Sequence, residues 1–257
     1  HAEGLTVLAL TDHDTTGGWD EARTYLRPGM DLVLGAEISC QTLDGISVHM
    51  LGLLFDRDNQ ALSDAMAKTR ENRVGRMERI ISRMNENGIE ITIEEVYAQL
   101  SEGGTLGRPH LADALVAKGY AKNRDEIFAD WLNNNSKYYI AHYSPTPEEA
   151  IALIKGAGGV AVIAHPLASL RGRTVSLDSF ASFAAAGMDG IEISHRDHSP
   201  EEQELLSAVV NEFNLVPTGS SDYHGDGKLN RLAENQTDPE NWERLQARAV
   251  QGRVIRL

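Results

Sequence analysis

Short apolar runs rich in Val, Ile and Leu alternate along this chain with longer amphipathic stretches, and that alternation restricts the fold more than any other feature. It is the βα rhythm of a parallel sheet or barrel, whose strands are covered on both faces and therefore read as nearly continuous apolar runs. The expected strands are Leu5–Leu10, Leu32–Ala36, Ile46–Phe55, Gly159–Ala164, Gly190–Ser194 and Leu215–Gly219. Glu21–Leu26, Pro147–Lys155, Asp178–Ala186 and Pro200–Phe213 read as helices between them. Ser144-Pro145-Thr146-Pro147-Glu148-Glu149 and Ser199-Pro200-Glu201-Glu202 each join a cap, a proline and an acidic first turn, which together mark a helix start.

Between Asp56 and about Tyr143 the rhythm stops, and no buried strand is expected there. Ala61–Asn87 carries Leu62, Met66, Val74, Met77, Ile80, Ile81 and Met84 near helical spacing, and Asn87-Gly88 ends the pattern. Ile93–Leu100, Arg108–Lys118 and Arg124–Asn133 add shorter helices. Residues 61–142 are thus expected to form a helical insertion domain covering the active site of a barrel built from 1–60 and 143–257. The methionines of this stretch fit core filling better than a cofactor or peptide groove.

With 257 residues the chain can bury a full core, as one α/β barrel or as a smaller domain with an insertion. Hydrophobic residues at 41% and charged residues at 24% exclude disorder and fibrous repeats. Cys40 is the single cysteine, which rules out an internal disulfide framework. No apolar run approaches the roughly 20 residues of a membrane span, and no secretory signal opens the chain at His1, so the cytoplasm is expected. A formal charge of −14 argues against an extended nucleic-acid surface, because such binding depends on a basic face that displaces counterions. A small anionic substrate stays compatible, since local cations or metals reverse the field inside a cleft. Nothing in the pattern sets an oligomeric state.

The placement of polar residues carries the chemistry. Leu5–Leu10 runs into Thr11-Asp12-His13-Asp14, Glu37 follows Val33-Leu34-Gly35-Ala36, and His49 sits within Ile46-Ser47-Val48-His49-Met50-Leu51. His165 closes Val160-Ala161-Val162-Ile163-Ala164, and Asp222 and His224 follow Val216-Pro217-Thr218-Gly219. In a parallel barrel the C-terminal strand ends converge on the face that holds the chemistry. Singly, each residue has a plainer use: a hydrogen-bonded structural histidine, a helix cap, an ion-pair partner or a turn residue. Jointly, His13, Glu37, His49, His165, Asp222 and His224 fall at equivalent places on five strands and read as a metal site. Mixed imidazole and carboxylate ligands suit Mn²⁺, Fe²⁺ or Zn²⁺ better than an all-oxygen site does. Paired metals suit in-line displacement at phosphorus, although the same ligands would serve hydrolysis of C–N bonds.

Leu8-Ala9-Leu10-Thr11-Asp12-His13-Asp14-Thr15, Gly35-Ala36-Glu37-Ile38-Ser39, His49-Met50-Leu51-Gly52, Ala164-His165-Pro166 and Gly219-Ser220-Ser221-Asp222-Tyr223-His224 resemble the motifs of the PHP (polymerase and histidinol phosphatase) phosphoesterases, in order. With Gly107-Arg108-Pro109-His110 in the helical stretch, the chain is similar to the stand-alone subgroup that includes nucleoside 3′,5′-bisphosphate phosphatases and 5′-to-3′ exoribonucleases. The resemblance implies an α/β fold, a distorted (βα)₇ TIM-like barrel, with two or three divalent metals. Mn²⁺ comes first, with Fe²⁺, Zn²⁺ or Mg²⁺ as alternatives. It places His13, Glu37, His49, His165, Asp222 and His224 on metal positions and Asp12 beside them as a supporting catalytic carboxylate. The family's opening His-x-His strand and following Asp would lie upstream of His1. The expectation is therefore a whole cluster at Glu37, His49 and His165 and a weaker hold on metal at His13, Asp222 and His224.

The implied reaction is phosphate-ester hydrolysis of a nucleoside 3′,5′-bisphosphate or a short 5′-phosphorylated RNA end by a metal-bridging hydroxide. His195 and His198 are candidates for protonating the leaving group, and His195 also for contacting phosphate. Arg108 and His110 are candidates for a second phosphate, with Lys137, Arg73, Arg76 and Arg171 weaker because most such residues are solvated charges. The competing readings are a non-catalytic nucleotide- or metal-binding barrel and a metal-dependent C–N hydrolase.

Overall fold

The computed structural model describes residues 1–100, 104–133, 136–140, 143–225, 229–252 and 254–257. In chain order its elements are β1 (Val7–Leu10), α1 (Trp19–Tyr25), β2 (Asp31–Gln41), β3 (Ser47–Leu53), α2 (Gln60–Glu86), α3 (Ile93–Tyr97), α4 (Arg108–Ala117) and α5 (Arg124–Ile127), which runs into a π-helical turn, Phe128–Leu132. There follow α6 (Pro147–Gly156), β4 (Val160–Ala164), a 3₁₀ turn (Ser169–Arg171), α7 (Ser179–Ala185), β5 (Gly190–Ser194), α8 (Pro200–Phe213), β6 (Val216–Gly219) and α9 (Pro239–Gln246). Two compact units result, His1–Ala65 with Ser144–Leu257, and Met66–Tyr143. Among the described residues no helix is long and apolar enough to cross a membrane.

The first unit is mixed α/β, with one six-stranded sheet in sequence order from β1 to β6. The pairs β1–β2, β4–β5 and β5–β6 are parallel. β3 corrects the all-parallel expectation, because it lies antiparallel to both β2 and β4. The connection from Gln41 to Ser47 is too short for a crossover, and it closes as a hairpin in which Thr42 N–H donates to Ile46 O at 2.9 Å. β2 also continues through Gln41 rather than stopping at Ala36: Glu37 and Ser39 stay in the ladder, facing Leu51 and His49. The sheet curls as a half-barrel, so the residues after its two outer strands meet, with the His13 and His224 rings 5.8 Å apart.

Capping boxes start α6 and α8, where Thr146 and Ser199 accept from the backbone of Glu149 and Glu202, whose carboxylates reach back. An Asp238 cap, accepting from the Glu240 and Asn241 backbone with Pro239 at the first position, opens α9, which the sequence reading missed. Val33, Leu53, Leu54, Val160, Val162, Val216 and Leu245 pack as a buried cluster between sheet and helix. Gly35 is dictated by close approach, since a Cβ there would lie 2.6 Å from Gly52 O.

The second unit is helical among its described residues. Met77, Ile80, Ile81 and Met84 of α2 pack with Leu111, Leu115 and Ile127 in one buried core, so the methionines fill space as expected. Gly88, at φ +78, ends α2, and the next amide, Ile89 N–H, returns to Met84 O at 3.0 Å.

Candidate metal centre

The site begins with a short segment zipped onto β2. After β1 the chain leaves the strand, yet Glu37 N–H donates to Asp12 O at 3.1 Å and Asp14 N–H donates to Glu37 O at 3.0 Å. Asp14 is fully buried at φ +53, and its carboxylate takes both the Ser39 N–H (2.8 Å) and the Ser39 hydroxyl (2.7 Å). A non-glycine residue holds that backbone only where its surroundings over-determine it. His13 is thereby fixed beside Glu37.

Register brings the next ligands in. Glu37 and Ser39 share one face of β2, and His49 lies opposite Ser39, so His49 is the diagonal neighbour of Glu37. Because β3 runs antiparallel, a residue near its start reaches the same edge as strand-end residues elsewhere. His49 pairs in turn with Ala164, and His165 follows at φ +32. Glu37 Oε1 lies 2.5 Å from His49 Nδ1 and 3.6 Å from His165 Nε2, while Oε2 lies 3.7 Å from His13 Nδ1. One ligand atom each from His13, Glu37 and His49 falls within 4.8 Å of the others.

The electrostatics suit a cation. Burial by itself would raise the Glu37 carboxyl, but His13 and His49 beside it, with hydrogen bonding from His165 and His49, hold it well below the usual carboxylate range. Burial, only partly offset by Glu37, pushes His165 down to about 4, so its imidazole is neutral with a lone pair to give. His49 Nδ1 and His165 Nε2 are buried and turned toward the carboxylate. A neutral imidazole at His165, with the His13 and His49 rings converging on the same buried carboxylate, makes the donor set of a divalent transition-metal site.

Asp222, at φ +47, has its carboxylate split between partners. Oδ2 accepts from Arg171 Nη2 at 2.7 Å, and Oδ1 lies 3.3 Å from His224 Nδ1. His13, near His224, stands between this group and Glu37. Burial raises the Asp12 carboxyl, against the pull of His224. His195 is buried: its Nδ1 accepts from Asp197 N–H at 3.1 Å, and its Nε2 lies 3.8 Å from Asp222 Oδ2 and 3.5 Å from Arg171 Nη2. His198 is engaged by backbone at both nitrogens, with Nδ1 at 2.9 Å from Ile193 O and Nε2 accepting from Leu167 N–H at 3.3 Å.

The remaining candidates, Arg171 apart, belong to the helical unit. Arg108, the first residue of α4, donates to Leu132 O at 2.7 Å and lies over the Phe128 ring, and burial lowers its pKa. His110 Nδ1 accepts from Gly107 N–H at 3.1 Å, closing the start of that helix. Lys137 is exposed and donates to Asn87 Oδ1 at 2.7 Å. Two residues discounted as solvated charges are not: Arg76 is buried, and Arg171 grips Asp222 and Asp197. Burial, with repulsion from Arg108 and Arg73, drops Arg76 to about 10. Sequence reasoning also passed over Asp14, Ser39 and Glu192; the signal for Glu192 was a lone acid inside the apolar run Gly190-Ile191-Glu192-Ile193. Glu192 is 1% exposed, accepts from His165 N–H at 2.6 Å, and is pushed by burial up to about 7.

No family model matches the chain. It is 31% identical over 255 residues to a 3′,5′-nucleoside bisphosphate phosphatase from Chromobacterium violaceum, covering 97% of this chain and 89% of the relative. It is also 31% identical to a 5′-3′ exoribonuclease from Haemophilus influenzae, over 87% of this chain and 81% of that protein. A crystal structure from Bifidobacterium adolescentis described as a metal-dependent phosphoesterase superposes with a TM-score of 0.89 at 42% identity, over 96% of this chain and 87% of the other. A second, from C. violaceum, described as an amidohydrolase with bound sulfate and no metal, superposes at 0.85 with 30% identity, over 99% and 89%.

Proposed function

Because this chain belongs to the PHP family, and so is a metal-dependent hydrolase of phosphoric esters, we propose that it acts on nucleoside 3′,5′-bisphosphates or short 5′-phosphorylated oligonucleotides, in the cytoplasm. The observation that carries the reading is the buried Glu37 carboxylate facing His13, His49 and His165.

Two divalent ions fit the donor set, with Mn²⁺ first and a third if further ligands are supplied. Glu37 offers one oxygen toward His49 and His165 and the other toward His13, so its carboxylate would help hold a cation on either side. His13, Asp222 and His224 form the adjoining group, with Asp12 supporting it. When bound, such ions neutralise phosphoryl oxygens and acidify the attacking water. The protein's part is to fix the ligands and keep His165 unprotonated at neutral pH. For the leaving group's proton, His195 is favoured over His198, because backbone occupies both nitrogens of His198. Arg108, Arg73 and Arg76 crowd positive charge in the helical unit, and an arriving anion would relieve their repulsion. We assign them, with His110 and more weakly Lys137, to the substrate's second phosphate.

We read the six-stranded sheet as most of a distorted (βα)₇ barrel, and residues 61–142 as an insertion within it. The deciding experiment follows phosphate release from adenosine 3′,5′-bisphosphate and from a 5′-phosphorylated RNA with added Mn²⁺. Release should be lost in His165→Ala and after chelation. Full turnover after exhaustive chelation sinks the proposal, and ammonia release without phosphate would turn it toward C–N chemistry.

A further inference from the structure

We propose that Glu192 is a positioning residue that couples His165 to Asp222 through one hydrogen-bonded chain. The inference rests on the reading of those two residues as cation ligands. Glu192 stands on β5, between the strands that lead to them, and is 1% exposed. Its Oε2 accepts from His165 N–H at 2.6 Å, and the Ser220 hydroxyl hydrogen-bonds the same carboxyl. Ser220 Oγ in turn accepts from Asp222 N–H at 3.1 Å. Neither Glu192 nor Ser220 belongs to the ligand set, yet the chain they form ends on the backbone of one ligand at each side.

The backbone explains why such a chain is needed. His165 and Asp222 are both non-glycine residues in the left-handed region, at φ +32 and +47. Conformations of that kind persist where the surroundings over-determine them, and each sets where its side chain points. Asp14 shows the same device on the other side of the site, a left-handed residue bonded to Ser39. Among the described residues no lysine or arginine pairs with Glu192, so it is not half of a structural ion pair. A carboxylate accepts from both donors at once; a glutamine still offers one oxygen to His165, and an alanine offers nothing.

The test titrates Mn²⁺ into the purified protein, reading free Mn²⁺ by electron paramagnetic resonance, with circular dichroism of the metal-free forms as the check on folding. Glu192→Ala should weaken binding by about 10- to 100-fold, the usual cost of removing a support of a metal ligand. Glu192→Gln should recover most of the loss, Ser220→Ala should weaken binding in the same direction, and the Glu192→Ala/Ser220→Ala double variant should be no worse than Glu192→Ala, as for links of one chain. A Glu192→Ala isotherm equal to wild type, or a double loss that is the product of the single ones, overturns the proposal. If Glu192→Ala does not fold, Ser220→Ala decides alone, and an isotherm equal to wild type refutes it. Wild-type protein that takes up no Mn²⁺ removes the ligand reading itself, and the proposal with it, before any variant is compared.

Discussion

Replacing Glu192 by glutamine should leave the metal-free protein's stability unchanged at acid pH and raise it above neutrality. Burial, opposed by His195 and by hydrogen bonds from His165 and Ser220, lifts this carboxyl from 4.5 to about 7. The folded state therefore holds an extra proton between those values, and the stability it contributes is lost as pH rises through about 7. At about 1.4 kcal/mol per pH unit, that shift amounts to about 3 kcal/mol against the ionised wild type in alkaline solution. Below 4.5 the carboxyl is protonated in both states, and a carboxylic acid and a carboxamide differ little in shape, so the difference vanishes. His165 works in the opposite sense. Its folded value of about 4 lies under the ordinary 6.5, so its contribution is present above 6.5 and lost as pH falls toward about 4. In the wild type the two slopes oppose each other, and only the difference between variant and wild type isolates Glu192. Urea unfolding followed by tryptophan fluorescence, in chelator, at steps from about pH 4 to about pH 8, supplies that difference. A difference independent of pH, or a variant less stable than wild type at the alkaline end, would refute the reasoning.

Asp14→Asn, which keeps the size of the side chain but weakens its grip on Ser39, should lower Mn²⁺ affinity by about tenfold or more in a binding titration. Unchanged affinity would mean that Asp14 only shapes its turn. Leu115→Ala empties a fully buried position of the helical unit, and thermal or urea unfolding should show a loss of about 2–5 kcal/mol. Ser199→Ala removes the cap of α8 and should cost about 1 kcal/mol in the same assay, with phosphate release per folded molecule unaltered.

Much of this protein is legible in its sequence because the signals are local. The apolar runs, the capping boxes at Thr146 and Ser199, and the Gly88 stop depend on neighbours a few residues away, so β4, β5, α6 and α8 fall at or within a residue of their expected ends. The family is legible too, since Asp12-His13-Asp14, Glu37, His49, Ala164-His165-Pro166 and Asp222-Tyr223-His224 keep their types and order. Local signals fail where burial is two-sided and polar. Glu37 and Ser39 looked like the end of β2, yet they sit inside it, because the polar partners they need come from β3 and from Asp14.

Sequence alone thus determined most of the elements and the donor types, which covalent spacing and side-chain chemistry encode directly. Only the tertiary structure decided that β3 runs backwards, that His49 lies diagonal to Glu37, and that Arg171 holds Asp222. It alone decided that a buried acid on β5 reaches the backbone of His165. Each of these is a contact between residues far apart in the chain, set by register and curl, and no residue's own preferences specify it.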